Sequence, residues 1–104
     1  MEKLIRRMDI NAGVEEARAT NGSVLVDVRT EEEYAEGHIA GSINIPSPYI
    51  QRLSDQFPEL DTPLFIFCLS GGRSKRAARM LASVGYTNIT NLGGISDWTG
   101  PLEK

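Results

Sequence analysis

Four consecutive apolar residues, Leu64-Phe65-Ile66-Phe67, run into the only cysteine of the chain, Cys68, and then into the small loop Leu69-Ser70-Gly71-Gly72-Arg73-Ser74. An apolar run this short, delivered by the turn Asp61-Thr62-Pro63, reads as a strand covered on both faces. Behind the loop, Ala77, Met80, Leu81 and Val84 recur at i, i+3, i+4, i+7, the stripe of an amphipathic helix that Gly85 stops. Lys75 and Arg79 fall on its opposite, solvated face. Strand, tight loop and helix in that order commit the chain to a parallel α/β unit. They also set the thiol at a strand C-terminus, facing the N–H groups of a helix N-terminus, where an anion is favoured.

The remaining segments repeat that alternation. A short edge strand is expected near 7–10, and Asn11 reads as the N-cap of a helix carrying Val14, Ala17 and Arg18 that stops by Asn21-Gly22. Val24-Leu25-Val26 is a second apolar strand, ending in Asp27-Val28-Arg29. Thr30 and Glu33 form a capping box for a brief helix closed at Gly37. His38-Ile39-Ala40-Gly41 is loop, 42–45 a short strand, and Ser47-Pro48 a hydroxyl cap followed by a proline at the first helical position, with the helix running to about Gln56. A last strand is expected around 89–91, after which Gly93-Gly94 turns into a helical turn carrying Trp98, a core or lid residue, and Gly100-Pro101 closes the domain. The expected fold is α/β: an open, mostly parallel sheet of four to five strands with helices on both faces, which binds ligands at strand C-termini. Asp27 and Cys68 both sit at such ends.

With 104 residues the chain fits one domain, 1–104, with its core at about 9–98. One cysteine and one histidine exclude a disulfide framework and would leave a zinc site to carboxylate ligands, so neither metal nor cofactor is expected. A formal charge of -3 argues against nucleic acid as partner. No stretch approaches the roughly 18 apolar residues of a membrane span, and the first seven residues lack the apolar run of a signal peptide. A free thiol belongs in a reducing compartment, so a cytoplasmic location is expected.

The chemistry concentrates at Cys68. Ser70, Gly71 and Gly72 let the backbone curl so that N–H groups converge on sulfur, and thiolate is the reactive form of cysteine. Arg73, Lys75, Arg76 and Arg79 are four of the eleven Lys and Arg, packed into seven residues. Cations in a first helical turn oppose the macrodipole, so their presence beside an anion cup points to an anionic substrate, with Arg73 at the loop–helix junction as the contact. A buried, inert cysteine is the bland alternative; the flanking loop and helix argue for a nucleophile. His38 reads as a hydrogen-bonded turn residue rather than a base, and Asp27 as an acceptor that holds neighbouring loops.

Asp27-Val28-Arg29, Glu33-Tyr34, Gly37-His38-Ile39, Gly41 through Pro46, Cys68 through Ser74 and Leu92-Gly93-Gly94 through Trp98 together resemble a rhodanese domain, over about 9–98. The resemblance implies a rhodanese-like α/β fold and a sulfurtransferase. Cys68 would take a sulfane sulfur from a small anionic donor such as thiosulfate, hold it as a persulfide against the N–H groups of Leu69 to Ser74, and pass it to cyanide, a thiol or a sulfur carrier. Asp27 and Arg29 would support the loop. Phosphatases on the same fold carry five residues between Cys and Arg; here there are four, Leu69 to Gly72, the sulfurtransferase count. Leu69 and Gly72-Arg73 depart from the mercaptopyruvate-type loop, and Leu69 also replaces the basic residue that some thiosulfate-using members carry after the cysteine. The competing classes are a non-catalytic or sulfur-relay binding module, a cysteine phosphatase and a redox sensor; the last would lack an internal resolving thiol.

Overall fold

The computed structural model describes residues 5–104. Five strands, β1 (Ile5–Arg7), β2 (Val24–Asp27), β3 (Ile43–Asn44), β4 (Leu64–Cys68) and β5 (Ile89–Gly94), form one sheet in the order β1-β5-β4-β2-β3. Every pairing is parallel. The helices are α1 (Ile10–Ala19), α2 (Glu31–Glu36), α3 (Leu53–Gln56) and α4 (Gly72–Ser83), with 3-10 turns at Ser47–Arg52 and Ile95–Asp97. This is the expected α/β architecture.

Strand alternation splits the core in two. Val24, Val26, Leu64, Ile66 and Cys68 face α4, α3 and Tyr86, whereas Leu25, Phe65 and Phe67 face α1 and Leu92. The parity of β4 therefore turns Cys68 toward α4 and aligns the thiol with that helix's first turn. β2 leads outward to β3 while β4 leads back to β5, so the topological switch lies between β2 and β4, where an open α/β sheet has its crevice. Asp27 pairs in register with Phe67, one residue before Cys68, so the two strand ends are neighbours.

Several local expectations are corrected. The first strand is Ile5–Arg7, not 7–10, and Ile10 already opens α1. Asp9, not Asn11, caps that helix, its carboxylate accepting from the Ala12 N–H at 3.1 Å. Asn11 instead joins α1 to the C-terminal segment, donating to the Asp97 carbonyl and accepting from Thr99. Ser47 is not a hydroxyl cap; its N–H donates to the Val28 carbonyl at 3.0 Å, and the segment is a 3-10 turn kinked at Tyr49 before α3 begins. In α4 the buried face is Ser74, Ala77, Ala78 and Leu81, while Met80 and Val84 are exposed. β5 continues through Gly93-Gly94 rather than turning there. A bulge at Leu92 pairs Phe67 with Gly93 and Cys68 with Gly94, carrying β5 up alongside the cysteine loop.

Candidate active site

Cys68 is the last residue of β4, and the chain then reverses within three residues into α4. Gly71 makes that reversal at φ 113°, a left-handed conformation that other residues adopt at a cost. The Gly71 N–H donates to Cys68 Sγ at 2.9 Å. The loop is clamped from behind by the 3-10 turn that follows β5: the Ser96 N–H donates to the Leu69 carbonyl at 3.1 Å. A Cβ on Gly94 would sit 2.4 Å from that carbonyl oxygen, so only glycine lets the strand approach so closely.

Two opposing effects set the state of the thiol. Burial pushes the Cys68 pKa up, while hydrogen bonds from the Ser74 hydroxyl and from the N–H groups of Ser74, Gly71 and Ser70 pull it down; the donors win and the thiol lies below its ordinary value. Ser74 is fully buried, and its Oγ also lies 3.0 Å from the Gly71 carbonyl and 3.3 Å from that of Gly93. Sulfur, loop and β5 thus share one O–H donor, which serves one of these acceptors at a time.

The expected loop residues separate into distinct roles. Ser70, Gly71 and Ser74 surround the sulfur, Gly72 starts α4, and Leu69 projects outward with 44% of its surface exposed. Arg73 is already engaged: its two terminal nitrogens meet the two oxygens of Glu33 at 2.8 and 3.1 Å. That pair lowers the Glu33 pKa from 4.5 to about 2; burial opposes the shift and the Thr30 N–H adds to it. The Arg73 pKa is raised in return. Glu33 completes the capping box at the same time, accepting from the Thr30 N–H at 2.8 Å. The local Thr30–Glu33 spacing announces the box in the sequence, but nothing there signals its second partner.

Asp27 and Arg29 lie beneath this layer. The carboxylate takes the Arg29 guanidinium at 2.7 to 3.0 Å and also its backbone N–H, and Arg29 donates onward to the Gly37 carbonyl at 2.8 Å. Asn44 then bridges the carbonyls of both residues. Through Arg29, the Asp27 carboxylate is linked to the end of α2. His38 stacks on Tyr34 with ring centroids 4.0 Å apart, sets Nδ1 3.0 Å from the Tyr34 carbonyl and points Nε2 at Glu103. Its backbone bridges to Glu103 as well, so the chain beyond Trp98 folds back onto the His38 loop. Trp98 flanks the α1-side core and donates to the Pro101 carbonyl.

Fold and loop together define a parallel α/β protein built around one thiol in a ring of N–H donors. The chain belongs to the rhodanese-like domain family, whose pattern it matches over residues 11–101. Thiosulfate sulfurtransferase PspE of Escherichia coli is 34% identical over 80 residues, 76% of this chain and 77% of that protein. Putative sulfur carrier protein YrkF of Bacillus subtilis is 38% identical over 80 residues, but this chain spans only 43% of its length. Among solved structures, an E. coli rhodanese with anions superposes with a TM-score of 0.73 at 32% identity, covering 79% of this chain and 98% of that one.

Proposed function

We propose that this protein is a thiosulfate-type sulfurtransferase with Cys68 as its nucleophile. The observation that carries the reading is the Cys68 Sγ itself, held at 2.9 Å by the Gly71 N–H in a loop whose donors outweigh burial. Cys68 thiolate attacks the outer sulfur of thiosulfate; the new S–S bond forms as the old one breaks, and sulfite leaves with the bonding pair. The product is a Cys68 persulfide anion, whose charge the N–H groups of Ser70, Gly71 and Ser74 are placed to stabilise. Attack on its terminal sulfur by cyanide or a thiolate returns the Cys68 thiolate and releases thiocyanate or a new persulfide. No outside oxidant or reductant enters either step. The four-residue spacing between Cys68 and Arg73 supports a single sulfur atom rather than a phosphoryl group as cargo. Asp27 and Arg29 act as positioning residues that hold the β2 end beside the loop. A lone thiol of this kind works in a reducing compartment, consistent with the cytoplasm.

Incubation with thiosulfate followed by intact mass spectrometry tests the proposal. The expected result is a one-sulfur adduct that cyanide or a thiol removes, absent in Cys68→Ser. A Cys68→Ser variant that still forms the adduct, or a wild-type protein that forms none with thiosulfate or any other sulfane donor, would overturn it.

A further inference from the structure

Arg73 is the single cation in the loop from Cys68 to Ser74, and so the natural group to meet an anionic donor. Its terminal nitrogens are instead bonded to both oxygens of Glu33, at 2.8 and 3.1 Å. The fold sets that pairing. β2 ends beside β4, and α2 follows directly, so the first turn of α2 is delivered to the sheet edge that carries the thiol. That turn is Glu31-Glu32-Glu33, three carboxylates in a row, and the Thr30 N–H fixes Glu33 from behind. Glu33 is the chief cause of the raised Arg73 pKa, and the charge of Cys68 contributes too, so the guanidinium lies within electrostatic reach of the sulfur. The N–H groups of Ser70, Gly71 and Ser74 converge on one atom, Sγ, and suit the charge of a single sulfur. Beside it Leu69 presents an apolar side chain, 44% exposed. A donor arriving at the loop therefore finds dipoles for its outer sulfur, an apolar neighbour, and a loop cation already cancelled.

We propose that Glu33 selects the sulfur donor by charge: by holding Arg73 it disfavours a dianion and favours a sulfane donor of single negative charge with an apolar leaving group. An organic thiosulfonate anion has that chemistry. Cys68 thiolate attacks its outer sulfur, the bond from that sulfur to the sulfonyl group breaks, and a sulfinate leaves with the bonding pair. Cys68 keeps the persulfide anion, so atoms and charge balance with no oxidant or reductant. Thiosulfate reacts by the same route but brings a second charge to a loop whose cation is spent. Glu33 is a positioning residue in this scheme, acting through Arg73 and not on the reacting atoms. The inference rests on the sulfurtransferase reading and narrows its donor.

The test compares Glu33→Gln with the wild type. Second-order rates at Cys68 are measured with thiosulfate, the methanethiosulfonate anion and iodoacetate. Each is divided by the rate with neutral iodoacetamide, so that changes in thiolate fraction or loop order cancel. Coulomb energy scales with the charge a reagent carries, so the thiosulfate ratio should rise about tenfold in the variant and the two monoanion ratios about threefold. Both gains should shrink at high salt. In the wild type the thiosulfate rate should hold or rise as salt is added, because no free loop cation draws the dianion in. Ratios unchanged by Glu33→Gln, equal gains for dianion and monoanions, or a wild-type thiosulfate rate that falls steeply with salt would each overturn the charge selection. Failure of both sulfane donors to leave sulfur on wild-type Cys68, with the iodoacetate ratio still raised in Glu33→Gln, would instead overturn the sulfurtransferase reading and leave the selection by charge standing.

Discussion

Ser74 carries more of the chemistry of Cys68 than its type announces. Its hydroxyl and its N–H both pull the thiol pKa below the ordinary value, against burial that pushes it up. Removing the hydroxyl therefore moves the thiol pKa upward. At a pH well below the thiol pKa of both proteins the thiolate fraction sets the rate, so there Ser74→Ala should slow iodoacetamide alkylation of Cys68 about fivefold, one hydrogen bond of about 1 kcal/mol. At high pH, where both proteins are thiolate, the rates should converge. A pH profile that superposes on the wild type would leave Ser74 with a packing role only. The Cys68 site was legible because a strand, a small-residue loop and a helix lie contiguously in the sequence. The hydroxyl's link to β5 was not, because it bonds across 19 residues to the Gly93 carbonyl.

Elements differ in how openly they are written. The capping box of α2 and the buried run of β4 rest on neighbours in sequence, and both form as expected. The cap of α1, the end of β5 and the exposed face of α4 depend on what packs against them. Met80 fits a helical stripe by spacing, yet only the Gln51 side chain of the 3-10 turn reaches its sulfur, at 3.5 Å, and the residue stays 40% exposed beside an open groove. Arg73 reads as a substrate contact by position, yet it pairs with Glu33 across 40 residues, tying α2 to the cysteine loop. That tie gives a signed pH dependence. The folded Glu33 pKa is depressed from 4.5 to about 2, so its contribution is complete above 4.5 and is lost as pH falls toward 2. Solvent screens this partly exposed pair, so Glu33→Gln, which preserves the cap, should cost about 1 kcal/mol at pH 7. Urea titrations should show that gap narrowing steadily below about pH 4.5; a constant gap would mean that Arg73 contributes nothing to folding.

At the scale of the whole molecule, the crevice exists because β2 and β4 are held side by side while their loops diverge. The Asp27–Arg29 pair closes the end of β2: it is almost wholly buried and reaches the Gly37 carbonyl, while the Asn44 side chain separately ties β3 to the backbone carbonyls of both residues. The charges at the end of β2 were visible in the sequence, but their burial depended on β3 and α2 closing over them. Breaking such a pair from one side strands a charge without water, which costs about 3–5 kcal/mol. In a domain of this size, with roughly 5–15 kcal/mol in total, Arg29→Met should remove a large share of the stability. Asp27→Asn/Arg29→Met, which strands no charge, should recover a substantial part of the loss. Urea midpoints at neutral pH decide the matter. A loss below about 1 kcal/mol for Arg29→Met would mean that water reaches Asp27 once the guanidinium is gone, and that the crevice is held by the strand hydrogen bonds alone.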